Sequence, residues 1–193
     1  MPPNLPRRVF TMGHSTLSAE AFLARLQTHG VQQIADVRTI PKSRHNPQFA
    51  QASLAAALAA ASLGYRHLPL LGGLRHTRPD SVNLAWRNLS FRGFADYMAT
   101  PEFAAGLAEL EAWAGEHTTA LLCAEAVPWR CHRSLIADAL TLRGWQVLDI
   151  LSDRPASPHR QTPFLRLVEG RISYPAPEPL SVTSPPLGRQ SPL

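Results

Sequence analysis

Short β-type apolar runs alternate along this chain with segments of helical period, and that order constrains the fold more than any other feature. Repeated strand-then-helix order leads to a parallel sheet. Val9 to His14 is an apolar run ending in Gly-His-Ser. Leu17 to His29 then sets Phe22, Leu23 and Leu26 on one helical stripe closed by Gly30. Val31 to Val37 is a β-branched run, followed by a loop carrying Pro41, Ser43, Asn46 and Pro47, and by an Ala-rich helix from Gln51 to Ser62. Gly64 to Leu68 is a third strand. Phe94 to Met98 and Pro101 to Glu116 read as helices, Thr118 to Cys123 as a fourth strand, Cys131 to Arg143 as a helix ended by Gly144, and Gln146 to Ile150 as a fifth strand. The expected fold is a single α/β domain with a central, mostly parallel sheet of about five strands and helices on both faces.

Length and composition agree with one domain. A chain of 193 residues with 45% hydrophobic residues supports one sizeable core. The expected domain spans residues 9–173, between a flexible N-terminus at 1–8 and a proline-rich, disordered tail at 174–193. No apolar run approaches the ~20 residues of a membrane span, and the first eight residues, three of them prolines, lack the apolar core of a secretory signal. A soluble, cytoplasmic protein without a membrane partner is expected. The stretch from Leu71 to Arg92 exceeds the ~15 residues usual for a loop in a compact domain, and its Trp86, Leu89 and Phe91 argue against simple disorder. It reads as a cover over a site.

The net charge is +5, and Lys42 is the only lysine. Arginine offers a planar bidentate fork to phosphate and carboxylate, which favours an anionic partner such as a nucleic acid or a phosphate-bearing small molecule. A GC-rich genome that replaces lysine by arginine is the competing explanation.

Ligands of open parallel sheets bind beyond the carboxyl ends of the strands. That rule collects His14 and Ser15 after the first strand, Asp36 and Arg38 after the second, and Cys123 and Glu125 after the fourth. The crossing from Leu121 to Ser134 passes from a buried strand through a loop to a helix N-terminus, whose free amides and dipole suit an anion, reinforced by Arg130 and Arg133. Two cysteines, Cys123 and Cys131, cannot make a disulfide scaffold for a chain of this size, so they read as thiols or ligands. Cys131 and His132 with Cys123 and His14 raise the question of zinc. No C-x-x-C or H-x-x-x-H spacing is present, and adjacent residues of a helix diverge by about 100°, so no metal and no cofactor is expected.

Met12-Gly13-His14-Ser15, Asp36-Val37-Arg38 with Ser43 and Asn46-Pro47-Gln48-Phe49, Leu71-Gly72-Gly73, Phe91 to Met98, and Cys123-Ala124-Glu125 to Cys131-His132-Arg133 together resemble the bacterial "domain of unknown function 488" family over about residues 9–168. That resemblance implies an α/β domain and no particular reaction. A more partial resemblance is to rhodanese-like domains, which also place Asp-x-Arg after an early strand and a Cys loop before Arg-Ser at a helix start. The spacing of protein phosphatases, Cys followed by five residues and Arg, would need arginine at Trp129 and is not met.

Three functions compete. In the leading one the protein hydrolyses an N-glycosidic bond, as a DNA base glycosylase does. Glu125 or Asp36 activates water or stabilises the oxocarbenium ion, while Arg38, Arg44, Arg92, Arg130 and Arg133 hold phosphates, and Trp129, Phe91 or Tyr97 stacks the base. Ser43, Asn46, Cys131 and His132 complete the expected binding residues. In the second, Cys123 is a rhodanese-like nucleophile, with a buried core thiol as its plain alternative. In the third, the surface binds nucleic acid or an anion without turnover. A purely structural role pairs Asp36 with Arg133 and Glu125 with Arg38.

Overall fold

The computed structural model describes residues 7–177. Strands β1 (Arg8–Gly13), β2 (Gln33–Asp36), β3 (Gly64–His67), β4 (Thr119–Cys123) and β5 (Gln146–Ile150) are all parallel, and a two-residue strand β6 (Ser157–Pro158) pairs antiparallel to β5. The sheet order is β3-β2-β4-β1-β5-β6. This is the single α/β domain expected from the alternation of patterns.

Helices α1 (Ala19–Thr28) and α2 (Gln51–Ala60) cover one face, where Phe22, Leu26, Leu54 and Leu58 pack against Phe10, Met12, Ile34, Ala120 and Leu122. Helices α3 (Leu89–Tyr97), α4 (Pro101–Ala114) and α5 (Arg133–Leu142) cover the other, where Phe94, Phe103, Leu107, Leu110 and Leu135 meet Val9, Ala35 and Leu121. Alternate residues of β4 therefore enter opposite cores, and all five are buried, as a central parallel strand requires. At its last position this alternation turns Cys123 toward the α3–α5 side.

Chain punctuation follows local chemistry. Ser18, Asn88 and Thr100 each accept a backbone N–H at the start of α1, α3 and α4. Gly30 and Gly144 carry the positive φ that ends α1 and α5. From β1 the chain leaves through α1 toward β2, whereas from β4 it leaves through α5 toward β5. β1 and β4 are neighbours, so a crevice opens between their diverging loops.

Three details depart from the sequence reading. The long loop ends earlier, because Asn88 caps α3 at Leu89. Cys131 lies outside α5, in extended conformation after a 3₁₀ turn at Pro128–Arg130. A hairpin of β7 (Arg166–Val168) and β8 (Arg171–Ser173) follows the sheet. Of the expected flexible ends, residues 1–6 and 178–193 lie outside the described residues. Arg8 belongs to β1, and Tyr174 is fully buried, its N–H bonded to Asn83 Oδ1 at 2.8 Å and its hydroxyl to Asp138 at 3.0 Å. No helix among the described residues is long and apolar enough to cross a membrane.

Candidate functional site

The β1 and β4 loops are tied together at the crevice. His14 N–H donates to the Cys123 carbonyl at 3.0 Å and Ser15 N–H to the Ala124 carbonyl at 2.9 Å, with Ser15 in the left-handed region at φ 46°. A Cβ on Gly13 would run into the Glu125 carbonyl, so only glycine allows this approach. His14 is stacked on Phe49 and donates from Nδ1 to the Ser15 carbonyl, leaving Nε2 to accept from Arg38 at 3.3 Å. Burial, and then the Arg38 charge, lower its pKa against the opposing hydrogen bond, which keeps the ring neutral.

Asp36 lies beneath the crevice, fully buried and outside its wall. Arg38 grips it with Nε to Oδ1 at 2.8 Å and NH2 to Oδ2 at 2.6 Å, and the Tyr65 hydroxyl donates to Oδ2 at 2.8 Å. Burial pulls the Arg38 pKa down, yet the bonds and charge of Asp36 more than offset it. Burial and the Asp36 charge raise that of Tyr65. Neither expected ion pair forms: Asp36 pairs with Arg38 rather than Arg133, and among the described residues Arg38 has no carboxylate partner but Asp36. With NH1 also bonded to the Phe49 carbonyl, Arg38 keeps one N–H of five without a partner among the described residues.

Arg133 is fully buried and likewise holds no carboxylate among the described residues. It donates to the Glu125 carbonyl at 2.5 Å and the Ala126 carbonyl at 3.0 Å, while its Nε has no partner among the described residues. Peptide planarity then turns the N–H groups of Ala126 and Val127 away from the guanidinium, and neither makes a backbone hydrogen bond among the described residues. Arg133 thus shapes the loop from within instead of meeting a ligand, which corrects its expected role.

At the crevice floor Cys123, Cys131 and His132 converge. His132 Nδ1 is 3.9 Å from Cys123 Sγ and 3.8 Å from Cys131 Sγ, and Nε2 bonds the Val37 carbonyl at 3.0 Å. Both thiols are free and buried. Hydrogen bonding from Cys131 holds the Cys123 pKa well below the ordinary thiol value, against its burial and with help from His132 and Arg133. Cys131, as the donor, is pushed well above it. Gly73 packs flat on the His132 ring, where a Cβ would collide with the imidazole. The convergence corrects the argument from helical divergence, because Cys131 is extended rather than helical.

The resulting cleft has a volume of about 790 Å³. Of the residues expected from the sequence it gathers His14, Ser15, Arg38, Ser43, Asn46, Cys123, Glu125, Arg130, Cys131 and His132. Glu125 is exposed and is the only carboxylate lining it among the described residues. Asp36, Arg44, Arg92, Tyr97, Trp129 and Arg133 are absent from the lining. Arg92 donates to the Trp86 carbonyl, and Tyr97 bonds the Leu70 carbonyl under the Arg75 guanidinium. Trp129, 65% exposed, borders a different pocket beside Trp86 and His159. Phe91, expected as a stacking ring, lines the cleft, and Lys42, Gly73 and Leu74 join it without having been assigned to it. The Leu-Gly-Gly motif was the one sequence sign of Gly73.

The family model described as "Domain of unknown function DUF488" matches residues 18–140. The chain belongs to this family. The DUF488 match covers the loops that carry Asp36, Arg38, Cys123 and Glu125 and ends inside α5, beyond Cys131, His132 and Arg133. No curated protein and no solved structure matches the chain, so the rhodanese-like resemblance gains no support from them.

Proposed function

We propose that this DUF488 protein is a hydrolase acting on a nucleotide or nucleic acid, cleaving an N-glycosidic bond in the manner of a base glycosylase. The observation that carries this reading is the isolated carboxylate of Glu125 on a cleft whose other charged side chains, Lys42, Arg130 and Arg38, are cationic. Arg130 and Lys42 are exposed and suit phosphates, and Phe91 offers a ring to a base. With Asp36 committed to Arg38 and Tyr65, Glu125 alone is left to take a proton from water and face the cationic transition state. Two free buried thiols fit a reducing compartment such as the cytoplasm.

A second reading has its own support: the convergence of Cys131 and His132 on the Cys123 sulfur favours a thiolate nucleophile beside the amides of Ala126 and Val127. One experiment separates the two. Labelled oligonucleotides bearing damaged or deaminated bases are incubated with the protein and cleaved with alkali to reveal abasic sites. Glycosylase action predicts product that Glu125→Gln reduces by roughly 10²-fold or more, the scale of general acid–base catalysis. Absence of abasic sites with every base tested removes it.

A further inference from the structure

We propose that Cys123, Cys131 and His132 bind one zinc ion at the floor of the cleft, leaving a fourth position open to substrate or water. Their ligand atoms all lie within 4.8 Å of one another. Zinc bonds of about 2.3 Å to sulfur and about 2.0 Å to nitrogen, arranged tetrahedrally, set a sulfur and a nitrogen ligand about 3.5 Å apart. The 3.9 and 3.8 Å separations of His132 Nδ1 from the two sulfurs need contract by only a few tenths of an ångström.

Further features suit an ion. His132 donates its Nε2 proton to the Val37 carbonyl, which fixes the tautomer and leaves the Nδ1 lone pair facing both thiols. A backbone carbonyl on the far ring nitrogen is the usual outer support of a ligating histidine. Two thiolates and an imidazole select zinc over magnesium or calcium. Three protein ligands with an open side mark a catalytic rather than a structural zinc, and all three residues line the cleft together with Glu125.

For its chemistry, though not for the ion itself, the inference rests on the hydrolytic reading above. Water at the open position gives a proton to Glu125, and its oxygen bonds to the anomeric carbon. The C–N bond breaks with its electrons leaving on the base, which takes the proton back from Glu125.

The test uses the full chain, reduced and stripped by a chelator, then dialysed against zinc and separately titrated with Co(II). The expected result is about one zinc per chain and a thiolate-to-cobalt charge-transfer band with tetrahedral d–d absorption. Cys131→Ser and His132→Gln should each weaken zinc binding at least ~100-fold, and His117→Gln, at an exposed histidine, should not. No retained zinc and no thiolate band in the unmodified protein overturns the site, as does unchanged affinity in both ligand variants when circular dichroism shows them folded. Zinc bound without cleavage of any base keeps the ion and removes the glycosidic reading. Cleavage by metal-free protein, with no zinc taken up, does the reverse.

Discussion

Arg38 turns back on Asp36, two residues before it, and closes a bidentate pair with the Arg38 side chain 6% exposed and that of Asp36 fully buried. The pair joins the end of β2 to β3 through Tyr65 and to the following turn through the Phe49 carbonyl. Removing one charge from such a pair strands the other, at about 3–5 kcal/mol. Asp36→Asn should therefore lower unfolding free energy by that amount in urea titration, and Asp36→Leu with Arg38→Met should recover most of it. Full stability with abolished activity in Asp36→Asn would instead give Asp36 a catalytic role.

Gly13 and Gly73 allow close approaches of different kinds. A Cβ at Gly13 meets the Glu125 backbone carbonyl, which the Arg133 bond holds in place, whereas at Gly73 it meets a side-chain ring. Overpacking costs ~1–3 kcal/mol where neighbours can shift and more where they cannot. Gly13→Ala should thus be the more destabilising in thermal melts. Gly73→Ala should stay folded and displace His132, seen as altered imidazole resonances; unchanged resonances would remove the packing argument.

The strand–helix alternation made the sheet legible because each buried strand is a short apolar run and each helix shows its stripe. The same signal was silent on β6, β7 and β8, which are short and largely exposed, and on Tyr174, buried by a proline-rich segment through bonds to Asn83 and Asp138. At the site, topology collected the loop residues of β1 and β4, which line one crevice. It could not show which side chains turn inward, so Asp36 and Arg133 were read as ligand-facing when both are buried. Assigning Cys131 to a helix hid its convergence with His132, since one residue of extended backbone decides where that thiol points.

Arg133 reaches two carbonyls with one planar group, which lysine cannot copy. Arg133→Lys should cost about 2 kcal/mol, the scale of one charge-assisted bond. It should also speed hydrogen exchange at the Ser15 amide, which donates to the adjoining Ala124 carbonyl. An unchanged Ser15 exchange rate would show that the loop holds its shape without the second bond.

His159 sits between two carboxylates, with Nε2 3.0 Å from Asp138 and Nδ1 3.5 Å from Asp149, and its side chain is 4% exposed. Thr11 and Tyr174 also donate to these carboxylates, so their geometry is fixed from both sides of the ring. Burial lowers the His159 pKa, but the hydrogen bonds and charges of the two aspartates prevail and raise it to about 9. Because the folded value lies above the unfolded one near 6.5, protonation stabilises the native state. The contribution, about 3 kcal/mol, is fully present below pH ~6.5 and lost as pH rises through 9. Melting temperature should accordingly fall between neutral pH and pH ~9.5, and His159→Gln should flatten that slope. An equal slope in the variant would assign the loss of stability to other groups.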